Sequence, residues 1–161
     1  MRAYHLAAIL ACLVLGSGAA AAAPGDAIDV TDNNAMIQFR PVVDCATHPG
    51  APNLSIYSPQ AHCLGDAVIT ERDFSRLERL RMGGSPILRA QLTPEAWLRY
   101  FEATRDHLFR PMALIVEGRA TQVWIVKGPS RAIWLPISGG YLTDMRAEQV
   151  ADRFYAQGGR D

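Results

Sequence analysis

The sequence predicts a two-layer α+β domain, with a mostly antiparallel sheet and about three helices. Two observations predict it. Three times an aliphatic residue followed by Thr opens a helical pattern, at Ile69-Thr70, Leu92-Thr93 and Leu142-Thr143. Among these starts lie short β-rich runs: Ile87 to Leu92, Met112 to Glu117, Thr121 to Val126 and Arg131 to Leu135. The last three form a meander, with turns at Gly118-Arg119-Ala120 and Lys127-Gly128-Pro129-Ser130. Helices interleaved with such a meander pack as two layers.

From the N-terminus, Arg2 precedes an apolar run from Leu6 to Leu15, then Gly16-Ser17-Gly18 and the alanines Ala19 to Ala23. This is the three-part layout of a signal peptide, with Ala-x-Ala cleavage options near Ala20 to Ala23. Residues 6 to 23 carry no charge and approach the about 18–20 residues that span a bilayer. Their second half is small residues rather than Leu or Ile, which favours cleavage over anchoring. Lipidation of Cys12 is disfavoured because the apolar run continues past it. Residues 1–23 are therefore expected to be removed, leaving a periplasmic or secreted chain.

About 138 residues remain, enough for one domain with its own core. Formal charge is zero, and the basic residues, Arg everywhere except Lys127, are spread along the chain. Nucleic acid, which calls for a basic stripe, is excluded as a partner. Residues 24–53 read as a mobile leader and a loop-rich N-terminal segment, within which Ala35 to Val43 has strand character. Residues 54–157 carry the main domain, with a short strand candidate at Leu54 to Tyr57, and residues 158–161 are a tail. Cys45 and Cys63 are expected to pair, since an isolated couple in an oxidising compartment most simply makes one disulfide. Closing a loop of about 18 residues contributes about 3 kcal/mol. A zinc site that adds His48 and His62 is the rival, weakened because adjacent His62 and Cys63 are awkward ligands for one ion.

Each helix start has its own chemistry. Thr70, Thr93 and Thr143 are N-caps. Asp73 takes the capping-box position of the first helix, and Ile69 can staple onto Phe74. Pro94 suits the first turn of the second helix and Glu95 its positive end. Asp144 does the same for the third. The core stripes are Phe74, Leu77 and Leu80, then Trp97, Phe101, Thr104 and Leu108, then Ala147, Val150 or Ala151, and Phe154. If Lys127 to Ser130 is a hairpin loop, Val126 pairs with Arg131 and both hairpin faces are apolar. Either the N-terminal third covers the second face, or a patch around Trp124, Ile133 and Leu135 is open to a partner.

Catalytic patterns are scarce. The mature chain has no Gly-x-Ser-x-Gly, no phosphate-binding Gly-x-x-x-x-Gly-Lys and no His-Glu-x-x-His. His107 suits capping at a helix end, and Asp106 projects about 100° away from it. No cofactor or metal ion is expected.

The run Leu-Thr-Pro-Glu-Ala-Trp-Leu-Arg-Tyr-Phe-Glu-Ala-Thr (92–104), Ala-Leu-Ile-Val-Glu-Gly (113–118), Pro-Ile-Ser-Gly-Gly-Tyr-Leu-Thr (136–143), and Ala147 and Ala151 resemble the head of the first periplasmic domain of SecD and SecDF. Phe101 and Thr104 match that family's helix, and Glu117-Gly118 stands where it has an Asp-Gly hairpin. Pro136, Ile137, Gly139 and Gly140 match its turn, and Ile69 and Thr70 an earlier segment. The likeness runs over residues 54–157. It departs at Gln122-Val123-Trp124, where the family has a small Ser-Ala-Pro stretch. SecD also carries six membrane-spanning helices and proton-dependent machinery, for which this chain has no counterpart after the leader, so proton-driven export is not implied. The resemblance implies the α+β head fold and handling of polypeptide on the outer side of the membrane. Its turn residues Pro136, Gly139 and Gly140 are expected to be structural.

The function expected is a non-enzymatic periplasmic binding module, an accessory of protein export or the envelope. It would contact a protein or extended peptide through Trp124, Ile133 and Leu135, with a membrane-associated partner allowed. The alternatives are an envelope-acting enzyme or inhibitor and a structural accessory subunit. A deep polar pocket with convergent His or carboxylate groups would favour the former, and a flat apolar surface the latter.

Overall fold

The computed structural model describes residues 35–49, 51, 54 and 62–158. The expected signal peptide and the strand candidate beyond Leu54 lie outside them. The elements in chain order are β1 (Ile37–Asp44), β2 (His62–Leu64), β3 (Ile69–Thr70), a 3₁₀ turn (Glu71–Asp73), β4 (Phe74–Met82), β5 (Ser85–Leu92), α1 (Pro94–Asp106), β6 (Pro111–Val116), β7 (Arg119–Ile125), β8 (Trp134–Ile137) and α2 (Asp144–Ala156). The class is α+β as expected, with two antiparallel sheets and two helices among the described residues.

In the first sheet β1 pairs with β6 on one side and with β2 and β3 on the other, and β7 closes the far edge. The second sheet has the order β4-β5-β8. One core joins them: Ile37 and Phe39 of β1 meet Met112 and Leu114 of β6, Leu88 and Ala90 of β5, Tyr100 of α1, and Val150 and Phe154 of α2. Residues 37–44, from the segment expected to be loop-rich, thus supply the first sheet's central strand. Its other face holds a smaller cluster, in which Val42, Leu54 and Leu64 cover Ala113 and Ile115. This is the face of Val123 and Ile125, which stay 36% and 50% exposed at the β7 edge. The opposite face, that of Trp124, for which a covering N-terminal third was allowed, packs into the main core, where Phe39 of β1 meets it.

The helix expected after Thr70 is instead a single 3₁₀ turn followed by a nine-residue strand. The start signal was genuine, since Asp73 Oδ2 accepts from the Thr70 backbone N–H at 2.9 Å. The misleading feature was the spacing of Phe74 and Leu77. A register shift between Phe74 and Arg76 leaves them opposite Leu92 and Ala90, two residues apart on β5. One extra residue in a strand puts positions three apart on one face, which imitates helical spacing. Gly83 and Gly84, at φ +58 and +84, then make the two-residue turn that such a hairpin favours.

The expected pairing of Val126 with Arg131 is absent. β7 pairs with β6, whereas β8 pairs with β5, Ala90 opposite Leu135 and Leu88 opposite Ile137. Residues 127–133 therefore cross from one sheet to the other. Thr104 and Trp97 of α1 hold this crossover, accepting from the Ser130 N–H at 2.8 Å and donating from Nε1 to the Arg131 carbonyl at 3.2 Å. Pro129 cannot donate to a ladder, which suits a crossing strap better than a strand end.

α1 begins as expected, with the Thr93 hydroxyl accepting from the Ala96 N–H and Pro94 in the first turn. Its buried stripe is Ala96, Tyr100 and Thr104, rotated from the predicted one. Trp97 and Phe101 stack on each other at 6.0 Å beside the crossover. α2 buries Ala147, Val150, Ala151 and Phe154, matching the expected stripe.

Candidate functional site

The three residues expected to meet a partner are not brought onto one accessible face. Leu135 is 2% exposed and belongs to the main core. Trp124 lies opposite Met112 on β6 and packs edge-on against Phe39 at 6.0 Å. Only Ile133, half exposed, turns to solvent. The reason is the crossover: a hairpin would have aligned these side chains, and separate sheets disperse them.

The motif residues do converge. Glu117 and Gly118 form the β6–β7 turn at φ +49 and +74, and the Glu117 N–H donates to the Met36 carbonyl at 2.7 Å. A left-handed backbone is uncommon for Glu. Here its carboxylate accepts from Arg146 at 3.1 Å and from Arg153, both on α2. Arg146 and Arg119 also lie over the Tyr141 ring, at 4.1 and 4.9 Å. Gly139, at φ +140, presses the turn after β8 against β7, where an added Cβ would lie 2.7 Å from the Thr121 carbonyl oxygen. The hairpin turn, the Pro136 to Gly140 turn and α2 are thus locked at one junction. The role this supports is structural.

Cys45 and Cys63 form a disulfide with their Cα atoms 5.0 Å apart. It ties the end of β1 to β2, beside the Val43–Cys63 pair. Both sulfurs being used, the alternative zinc site has no thiolates. His48 Nδ1 is within hydrogen-bond distance of the Thr47 hydroxyl. His107 is the α1 C-cap, its ring Nε2–H donating to the Pro111 carbonyl at 2.9 Å. Asp106 bonds Arg105 instead, and that contact holds its carboxyl below the usual range. Among the described residues no group of three or more His, Cys, Asp and Glu is gathered for a metal ion.

The second sheet offers the surfaces that sequence reasoning missed. No described helix covers its outer face, where Glu78 joins Arg76 at 3.2 Å and Arg89 at 2.5 Å, and Arg89 lies 4.4 Å over the Trp134 ring. Leu80, Met82 and Ile133 are exposed nearby, at 43%, 70% and 50%. β4 pairs only with β5, so its other edge has no described partner strand. Beside that edge runs α2, and two open grooves of about 450 and 440 Å³ lie between them. Ion pairs Arg79–Glu148 and Arg81–Asp144 cross the gap at 3.2 and 2.6 Å. The Gly83-Gly84 dipeptide was the signal in the sequence that could have shown this strand.

No family model and no curated protein matches the chain. Two solved structures share its fold. A SecDF structure, described as a membrane component that enhances protein export, matches with a TM-score of 0.57 at 17% identity. The match covers 74% of this chain and 61% of that one. A second, SecDF in its super-membrane-facing form, matches with a TM-score of 0.56 at 16% identity, over 79% of this chain and 19% of its own. The chain therefore spans less than two thirds of either SecDF chain. Fold and motif order agree: this chain resembles the SecD and SecDF domain.

Proposed function

We propose that the chain is a non-enzymatic binding module of the cell envelope, contacting extended polypeptide on the outer side of the membrane. The observation that carries this reading is the fold shared with SecDF, one structure of which is described as enhancing protein export. The N-terminal layout of Arg2, an apolar run and small residues supports export of the chain. The partner surface moves from the trio expected in the sequence to the second sheet, and of that trio only Ile133 is retained.

The test is equilibrium binding of a fluorescently labelled, reduced and carboxymethylated protein, which stays unfolded, against the same protein in its folded form. Saturable binding of the unfolded form at about micromolar affinity, with none of the folded form, is expected. Equal affinity for both, or none for either, would refute the reading. A structural accessory role is favoured by one observation, the uncovered face carrying Leu80, Ile133 and Trp134. That role predicts a stable complex with another envelope protein and no affinity for unfolded chains.

A further inference from the structure

We infer that the edge of β4 with no described partner strand is the site where polypeptide binds, by adding a strand to the second sheet. This rests on the proposed polypeptide binding and names where and how it happens. The two-residue turn at Gly83-Gly84 makes Met82 and Ser85 the closing hydrogen-bonded pair of the hairpin. Hydrogen-bonded and non-hydrogen-bonded pairs alternate along an antiparallel ladder. Leu80 and Glu78 therefore point their N–H and C=O groups at β5, and Leu77, Arg79 and Arg81 point theirs outward. Two contacts agree with this parity. The Tyr155 hydroxyl of α2 donates to the Leu77 carbonyl, which must therefore face away from β5. Pro86, which has no N–H, sits opposite Arg81 in a non-hydrogen-bonded pair.

Tyr155 closes the edge at Leu77, and the glycine turn ends it after Met82. Between them runs room for a peptide of about six residues at about 3.3 Å each. The natural complement of such a row of main-chain donors and acceptors is another extended chain. A second copy is disfavoured by charge. In the two-fold register that pairs the two outward residues left open beyond Leu77, Arg79 of one copy would face Arg81 of the other, and like charges directly opposite destabilise a sheet. The occupant is therefore a different polypeptide, with an uncharged or acidic residue opposite Arg79. Its side chains on the outer face meet Leu80, which is 43% exposed, and an apolar residue fits there. Arg76, Arg79 and Arg81 stand against Glu78, Asp144, Glu148 and Asp152 along the grooves, so the charges nearly balance. The main chain, not sequence, dominates recognition.

The experiment measures binding of a labelled peptide of about six alternating Val and Thr residues with a central Asp. Arg79→Pro removes an outward N–H and leaves the β4–β5 ladder whole, as edge positions permit. It is expected to weaken binding about tenfold or more at an unchanged unfolding midpoint, whereas Arg79→Ala retains most of the affinity. If Arg79→Pro fails to fold, the same peptide methylated at alternate backbone nitrogens replaces it, and one of the two methylation patterns must abolish binding. Full affinity in Arg79→Pro, or with both methylated peptides, overturns the inference, as does an equal loss in Arg79→Ala. Concentration-dependent dimers broken by Arg79→Pro would make a second copy the occupant and also overturn it. Unfolded protein that binds wild type and Arg79→Pro alike sinks this site but leaves the proposed function standing. Absence of any binding by wild type removes both.

Discussion

Gly139 is held against β7 so closely that a Cβ would lie 2.7 Å from the Thr121 carbonyl oxygen, at a φ of +140. Gly139→Ala is expected to cost about 1–3 kcal/mol from the backbone conformation alone. Gly140 has nothing within 4 Å of an added Cβ, so Gly140→Ala should stay within about 0.5 kcal/mol of wild type. Denaturant midpoints at constant slope compare the two, and equal midpoints would disprove the close approach. Tyr100 is another buried commitment. It packs edge-on against Phe39 at 5.9 Å, and burial pushes its hydroxyl from 10.0 up to about 12. The unfolded chain loses this proton first, so the stabilisation is complete below pH 10 and is lost as pH rises through 12. Stability of wild type should fall by about 2–3 kcal/mol across that window. In Tyr100→Phe the fall should shrink by that amount, as urea midpoints taken at rising pH would show. Parallel curves for the two proteins would remove Tyr100 as the cause.

At the scale of elements, local signals were legible where a single residue type sets the backbone. Thr93 and Thr143 start their helices as the sequence indicated, and Val150 and Phe154 face the core. β1, β5, β6 and β7 also lie where their β-rich runs fall, within about two residues. The failures came from information that is not local. The bulge before Arg76 exists only through pairing with β5, so Phe74 and Leu77 read as helix. The crossover that takes β8 to β5 rather than β7 is held by Thr104 and Trp97, distant in sequence. The site was missed for the same reason: Trp124, Ile133 and Leu135 are neighbours only if the hairpin forms. The Cys45–Cys63 bridge was legible because few pairings were possible. It closes a separation of 18 residues, and its reduction should lower stability by about 3 kcal/mol. Ile37 and Phe39 anchor β1 in the main core, so the reduced chain should keep that core, with a lower midpoint but the same folded near-ultraviolet signal. An unchanged midpoint would show that the bridge constrains nothing.

On the scale of the whole molecule, the two sheets play different parts. The first is closed on both faces over much of its area and carries the disulfide, the buried β6 and the locked junction at Glu117 and Tyr141. Among the described residues, the second has no helix on its outer face and no strand on the β4 edge beside α2. Arg79 and Arg81 at that edge are exposed, and their ion pairs to α2 lie in solvent, which suits the proposed binding of an extended chain. The most direct measurement is amide hydrogen exchange of the purified chain with and without an unfolded polypeptide. The N–H groups of Arg79 and Arg81 face outward, so they should exchange quickly in the free chain and become protected on binding, while Leu80, already bonded to β5, changes little. Protection confined to other strands would move the site, and saturating polypeptide that leaves every amide unchanged would contradict the binding function itself.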